Sequence, residues 1–90
     1  MDIKDPALVE ECLQGSKNSF ETLVIRHKDS VYNLAYRMTS SVADAEDITQ
    51  ETFLRAYKKL KTYKKEYSFK NWLLAICANI AKNIFRKRVN

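Results

Sequence analysis

Residues 41–60 have the sequence SVADAEDITQETFLRAYKKL, and this stretch decides the fold class of the chain. Ser41 precedes a run of acidic side chains, an order typical of a helix start, where a hydroxyl caps a backbone N–H and carboxylates face the positive end of the helix dipole. At about 100° of rotation per residue, one side of the helix collects Ala45, Ile48, Thr49, Thr52, Phe53, Ala56 and Leu60. The stretch therefore predicts an amphipathic helix that ends near Leu60.

The opposite side of this helix carries a stripe of mostly polar residues: Asp47, Gln50, Glu51, Leu54 and Lys58. The first three are related as i, i+3 and i+4, so their side chains are neighbours on the helix surface. Two interpretations are open. The stripe is either a solvated face, which is the commoner case, or a docking face, in which charges set the register and the exposed leucine adds apolar contact.

Helices are also predicted on both sides of this one. Asp5 as N-cap, Pro6 at the first helical position and Gly15 as terminator predict a helix over about 6–14. A second helix is expected from Asn18 or Ser19 to about residue 38, because its apolar side chains recur every three, four or seven residues.

The last helix is expected to begin after Ser68 as N-cap. Its apolar residues recur at intervals of three and four without a break: Phe69, Trp72, Leu73, Ile76, Cys77, Ile80 and Ile84. No segment shows the alternation of apolar and polar residues that would predict a β-strand instead. The chain is thus predicted to be all-α, a compact bundle of about four helices, with residues 1–90 forming one domain.

The net charge of the chain hides a division. The 90 residues have a formal net charge of +5. Residues 1–51 carry 5 basic and 10 acidic side chains, a net of −5, whereas residues 52–90 carry 11 basic and 1 acidic, a net of +10. Such an asymmetry suggests two different partners or one polyanion met by one end only, although lysine-rich helices are often no more than soluble faces.

Catalytic and metal chemistry finds little support. No histidine joins the carboxylates of Asp44, Glu46, Asp47 and Glu51 at ligand spacing, and one glycine cannot build a phosphate-binding loop. His27 is expected to be a solvated surface residue, and Cys12 and Cys77 to be small buried hydrophobes. We expect no enzyme activity, no cofactor and no metal site.

Targeting and membrane segments are not predicted either. No run approaches the ~18 apolar residues of a membrane span, and the acidic N-terminus has no apolar core segment. A cytoplasmic protein without a membrane partner is expected.

A second candidate site is the connection before the last helix. Lysines 61, 64, 65 and 70 alternate with Tyr63, Tyr67 and Phe69, and Asn71 follows. Cations for phosphates beside aromatic rings for bases form the pairing that single-stranded nucleic acid binding requires. Tyr63 and Phe69 also suit a core position, which is favoured for Phe69, whereas Tyr67 and the lysines are expected to be exposed.

Four segments together resemble region 2 of bacterial sigma factors, in particular the extracytoplasmic-function group of the sigma-70 family. They are FETL at 20–23 with VYNLAYRM at 31–38, DAEDITQETFLRAY at 44–57, SFKNWL at 68–73, and Ala78-Asn79. The resemblance covers about residues 20–88. It implies a domain that binds the clamp helices of the RNA polymerase β′ subunit and captures the non-template single strand of the melted promoter −10 element.

The resemblance also assigns residues. The family's polymerase contacts match Asp47, Gln50 and Glu51, to which the stripe adds Leu54, and the family loop that holds a flipped base corresponds to about residues 61–68. The expected DNA-binding residues are Lys61, Lys64, Lys65, Tyr67, Ser68, Lys70, Asn71, Asn79 and Lys82. An anti-sigma factor is a further partner that the resemblance leaves open. The alternative is a helical protein-interaction module without nucleic-acid function.

The chain departs from the family pattern in three places. Residues 64–66 are Lys-Lys-Glu where family loops often have an Arg-Gly-Glu turn, and Ala75 and Ala78 stand where arginines are common. The helix-turn-helix domain that reads the −35 element is not in the sequence. Either the chain is a fragment cut at the linker between the two domains, which the basic run at 86–88 near its end favours, or it is a reduced relative.

Overall fold

The computed structural model describes residues 2–89, which form four α-helices and one 3₁₀ turn and include no strand. The helices are α1 (Asp5–Leu13), α2 (Lys17–Thr39), α3 (Val42–Lys58) and α4 (Phe69–Val89), and the 3₁₀ turn (Leu60–Thr62) follows α3. The prediction of an all-α bundle of about four helices is confirmed. Among the helices of residues 2–89, none combines the length and the hydropathy of a membrane span.

Serine caps begin three of the helices. Ser41 Oγ accepts a hydrogen bond from Asp44 N at 3.2 Å, and Ser68 Oγ accepts one from Asn71 N at 3.2 Å, as predicted for α3 and α4. For α2 the cap is Ser16, whose Oγ accepts from Ser19 N at 3.2 Å. The helix therefore begins at Lys17, slightly earlier than the apolar pattern indicated.

The prediction that Asp5 caps α1 is wrong. The N-cap is Lys4, which makes no side-chain cap, and Asp5 is the first helical residue. Its carboxylate instead binds α2, accepting hydrogen bonds from Arg26 Nη1 at 3.1 Å and from His27 Nε2 at 2.8 Å. The predicted terminator is correct: Gly15 follows α1 with φ +107°, a conformation that side chains disfavour.

The prediction that His27 is solvated is also wrong. The residue is only 9% exposed, and its ring lies 5.6 Å from that of Phe69. Its neighbours in sequence are polar, but it lies four residues after Leu23 and four before Val31, both fully buried, so it shares the inward face of α2. Helical spacing was thus a better guide than the polarity of adjacent residues.

The core lies where α2, α3 and α4 pack together. Its most deeply buried large side chains are Leu23, Ile48, Leu73, Val31, Thr52 and Cys77. Thr52 is tolerated there because its hydroxyl donates to Ile48 O at 2.7 Å. Burial raises the pKa of the Cys77 thiol, consistent with its predicted role as a small hydrophobe. Cys12 packs on the core but stays partly exposed, so the prediction that it is buried is only partly confirmed.

Candidate docking face and nucleic-acid surface

The outward stripe of α3 is accessible in the structure, and we call its residues Asp47, Gln50, Glu51 and Leu54 the docking face. Asp47 and Gln50 are exposed, and Leu54 is 58% exposed despite its apolar side chain. Glu51 is half-buried, and its Oε2 accepts from Arg55 Nε at 3.0 Å. An i,i+4 surface pair of this kind stabilises a helix by only a few tenths of a kcal/mol. A partner's cation can therefore replace Arg55 at little expense.

An apolar groove of about 630 Å³ lies between α2 and α3 beside the docking face. It is lined by Phe20, Val24, Lys28, Thr49, Gln50, Phe53, Leu54 and Tyr57. Phe20 and Tyr57 meet edge to face with ring centroids 5.0 Å apart. Sequence reasoning missed this groove because it treated the periodic apolar residues of α2 and α3 only as packing positions. Leu54 and Tyr57, exposed at a spacing of i, i+3, are the signal that was available.

The two oppositely charged halves of the chain meet in space. Arg88, near the end of α4, donates two hydrogen bonds to Asp44 in the first turn of α3, one of them from Nη2 to Oδ1 at 2.8 Å. This guanidinium holds the pKa of Asp44 below its usual range. Arg86 and Lys87 line a groove of about 560 Å³ that Asp47 and Glu51 also line. The basic end of α4 therefore borders the docking face.

The connection between α3 and α4 divides into a buried and an exposed side. Leu60, Tyr63 and Phe69 are buried, which resolves the alternatives for Tyr63 and Phe69 in favour of the core. The Tyr63 ring stands edge to face on Phe69 at 5.3 Å and lies 5.5 Å from Trp72. Lys61, Lys64, Lys65 and Tyr67 are exposed, as predicted, and Tyr67 is 67% exposed. Glu66 and Ser68 are exposed as well.

Two hydrogen bonds cross the segment 64–68, which we call the basic loop. Tyr63 Oη donates to the Tyr67 carbonyl at 2.7 Å, and Tyr67 N–H donates to the Lys64 carbonyl at 3.0 Å. Burial raises the pKa of Tyr63 further above neutrality, and its hydroxyl is the donor in the first of these bonds. Ser68 Oγ is engaged as the cap of α4, which leaves its hydroxyl proton free to donate.

The candidate DNA-binding residues of α4 are all exposed but do not share one face. At about 100° per residue, Asn71, Asn79 and Lys82 lie within a sector of about 80°, whereas Lys70 lies about 100° away from Asn71 on the other side. Arg86 lies within this sector, and Phe85, which is 61% exposed, lies about 40° outside it on the side of Lys70. Sequence reasoning did not assign these last two. We call Asn71, Asn79, Lys82 and the basic loop together the nucleic-acid surface.

Within residues 2–89, no group of three His, Cys, Asp or Glu side chains is arranged to hold a metal ion. The carboxylates of the acidic cluster are distributed over different contacts, since Asp44 binds Arg88 and Glu51 binds Arg55.

Comparison with known proteins gives consistent similarities. Residues 23–90 match the family model described as Sigma-70 region 2. The chain is 35% identical over 80 residues to the ECF RNA polymerase sigma factor SigW of Bacillus subtilis, which covers 89% of the chain and 43% of that protein. It is 40% identical over 81 residues to the ECF RNA polymerase sigma-E factor of Haemophilus influenzae, covering 90% and 42%. The chain thus spans less than half the length of these relatives.

A solved structure is similar over nearly the whole chain. It is the NMR structure of the complex formed by an engineered region 2 of sigmaE with GTAAAA. The match has a TM-score of 0.87 and 33% sequence identity, and it covers 98% of this chain and 94% of the other.

Proposed function

Since the chain belongs to the sigma-70 region 2 family, with extracytoplasmic-function sigma factors among its relatives, we propose that it is a transcription initiation factor domain with two partners. The docking face binds RNA polymerase core through the clamp helices of its β′ subunit. The nucleic-acid surface holds the non-template single strand of the promoter −10 element. The domain acts by binding, without catalysis of its own, and works in the cytoplasm where polymerase is found.

The basic loop carries the DNA half of the proposal. Lys64 and Lys65 are exposed next to the accessible ring of Tyr67, and Lys61 precedes them on the same connection. Lysines release counterions from phosphates, and an aromatic ring supplies a stacking surface for an unpaired base. The similar engineered region 2 of sigmaE was solved in complex with GTAAAA.

The docking face supports the polymerase half. Asp47 and Gln50 offer a carboxylate and an amide on the same helix surface as the exposed side chain of Leu54. The adjoining apolar groove widens the area that a partner helix can bury. Charged groups around an apolar contact give register and affinity together, which suits a helical partner.

A purely protein-binding module is the second candidate function. The apolar groove between α2 and α3 supports it as well as it supports polymerase docking, because a groove of about 630 Å³ lined by Phe20, Val24, Phe53 and Leu54 can receive apolar side chains of any helical partner. Under this alternative the lysines only keep the domain soluble. An anti-sigma factor is a partner compatible with either function.

Titration of a labelled single strand tests the DNA half. We expect the chain to bind fluorescein-labelled GTAAAA with an affinity that falls as salt rises. The variant Lys64→Ala/Lys65→Ala/Tyr67→Ala should bind about tenfold or more weakly, because one stacked base contributes about 1–3 kcal/mol. Its plot of log affinity against log salt should be shallower by about 1.4, since each lost phosphate contact removes about 0.7.

The matched control is Lys17→Ala/Lys28→Ala, which removes two exposed lysines from α2. It should keep the affinity of the unaltered chain apart from a small long-range charge effect. Equal binding by the loop variant and the control would contradict a nucleic-acid role for the basic loop and favour the protein-binding module.

A further inference from the structure

The basic loop keeps a defined shape without a glycine. Family loops often turn on a glycine here, but residues 64–66 are Lys-Lys-Glu. Within residues 2–89, positive φ angles occur only at Gly15 and Ser40, so the loop turns without entering the left-handed region. The conformation of the basic loop therefore does not depend on a glycine, and contacts with other residues are needed to stabilise it.

We propose that Tyr63 is a positioning residue that presets the basic loop and thereby presents the Tyr67 ring to a single-stranded nucleic acid. This inference rests on the DNA half of the proposed function and deepens it. Tyr63 Oη donates to the carbonyl of Tyr67 itself at 2.7 Å, and the N–H of Tyr67 donates to Lys64 O at 3.0 Å. Both backbone polar groups of Tyr67 are thus bonded within the chain although its side chain faces solvent.

The hydroxyl of Tyr63 is fixed in space because its ring is. The residue is 8% exposed and its ring packs against Phe69 and Trp72. Phe69 is in turn backed by the ring of His27 at 5.6 Å, and His27 donates to Asp5 on α1 at 2.8 Å. The loop is therefore bonded to the tip of a side chain that belongs to the core.

A preset loop binds more tightly than a mobile one that makes the same contacts, because ordering a flexible segment at the moment of binding opposes association. Tyr63 is itself buried, so its effect on the strand is exerted through the loop.

The test compares Tyr63→Phe, which removes only the hydroxyl, with Tyr36→Phe. Tyr36 is exposed on α2, and its ring stacks on that of Tyr32. We expect Tyr63→Phe to bind GTAAAA about two- to tenfold more weakly, the factor that corresponds to one lost hydrogen bond, and Tyr36→Phe to bind as the unaltered chain does. Amide exchange measured by NMR should be faster at Tyr67 N–H in Tyr63→Phe, with exchange in α2 and α3 unchanged.

A double-mutant cycle separates positioning from general stability. In a Tyr67→Ala background, Tyr63→Phe should change the affinity by less than about twofold, because the ring that it presents is absent. Full additivity of the two changes would overturn the proposal, as would unchanged affinity and Tyr67 exchange in Tyr63→Phe. Both of these results leave the proposed function intact if the unaltered chain binds the strand. Failure of the unaltered chain to bind GTAAAA would instead overturn the DNA half of the proposed function and the positioning role with it.

Discussion

At the residue scale, the contact between Asp5 and His27 ties three parts of the molecule together. It joins α1 to α2, and the buried imidazole carries the contact on to Phe69 at the start of α4. Arg26 binds the same carboxylate from a more exposed position. Arg26 and His27 thus both bind the carboxylate of Asp5, but only His27 is buried in the core.

This difference predicts unequal effects of two neighbouring substitutions. His27→Ala should lower the free energy of unfolding by about 2–3 kcal/mol, because it leaves a cavity beside Phe69 and removes one partner of Asp5. Arg26→Ala should lower it by less than about 1 kcal/mol, the range of exposed ion pairs. Urea denaturation of both variants measures the difference, and equal losses would contradict the buried role of His27.

The ion pair between Asp44 and Arg88 is expected to depend on pH. Its pKa is lowered mainly by hydrogen bonding to Arg88. A lowered pKa in the folded state means that the contribution to stability is present above the unfolded pKa, about 3.9, and is lost as the pH falls through the folded value. The contact between α3 and α4 should therefore persist at neutral pH and weaken only in acid, below about pH 3.9.

An NMR titration of the Asp44 carboxyl carbon checks this assignment. Its midpoint should lie below about 3.9 in the unaltered chain and rise in Arg88→Gln, because the principal hydrogen-bond donor is removed. Arg86→Gln removes an arginine two positions away that is not bonded to Asp44, and it should leave the midpoint almost unchanged. A midpoint that does not respond to Arg88→Gln would show that another group lowers this pKa.

At the element scale, the corner between α2 and α3 is made by two serines with different tasks. Ser40 closes α2 in the left-handed conformation at φ 55°, with its N–H donating to Tyr36 O at 2.7 Å. Ser41 opens α3 by accepting from Asp44 N through its side chain. Only the role of Ser41 requires the side-chain hydroxyl, because Ser40 acts through its backbone.

Alanine at each position should separate these tasks. Ser41→Ala should lower the free energy of unfolding by about 1 kcal/mol, the usual effect of losing an N-cap. Ser40→Ala makes the same chemical change one residue earlier and should alter it by less than about 0.5 kcal/mol. Thermal unfolding followed by circular dichroism measures both, and a larger effect at Ser40 would contradict the cap assignment.

The elements show which features of the fold a sequence can predict. Ser41 and Ser68 were predictable because a cap and its helix are neighbours in the chain. The contacts of Asp5 were not predictable, because its partners Arg26 and His27 lie 21 and 22 residues away and reach it only when α1 packs on α2. The hydrogen bond from Tyr63 to Tyr67 joins residues only four positions apart. It could not be predicted without knowing that the Tyr63 ring is buried.

At the scale of the whole molecule, the charge division along the chain becomes a different arrangement in space. Residues 52–90 carry the net charge of +10, but the end of α4 lies against α3, where Arg88 binds Asp44 and Arg86 borders the docking face. The lysines of the basic loop remain exposed. The net charges of the two halves of the sequence therefore overstate how clearly the folded surface is divided into an acidic region for one proposed partner and a basic region for the other.

The candidate site was predictable to a similar degree. Helical spacing was enough to find the outward stripe of α3, and alternating lysines and aromatics were enough to find the connection before α4. The apolar groove was not found because Phe20 on α2 and Tyr57 on α3 meet only through the packing of two helices. The family resemblance assigned both Lys70 and Asn71 to the single strand, although successive helical residues point about 100° apart.

Capture of polymerase tests the central claim most directly. An immobilised fragment that contains the β′ clamp helices should bind the unaltered chain and lose at least about tenfold in affinity for Asp47→Lys/Glu51→Lys, because like charges now meet across the interface. The control Glu10→Lys/Asp29→Lys makes the same change in net charge at exposed positions of α1 and α2 and should be captured normally. Undiminished capture of the Asp47 and Glu51 variant, or no capture of the unaltered chain, would contradict the assignment of α3 as the polymerase-binding helix.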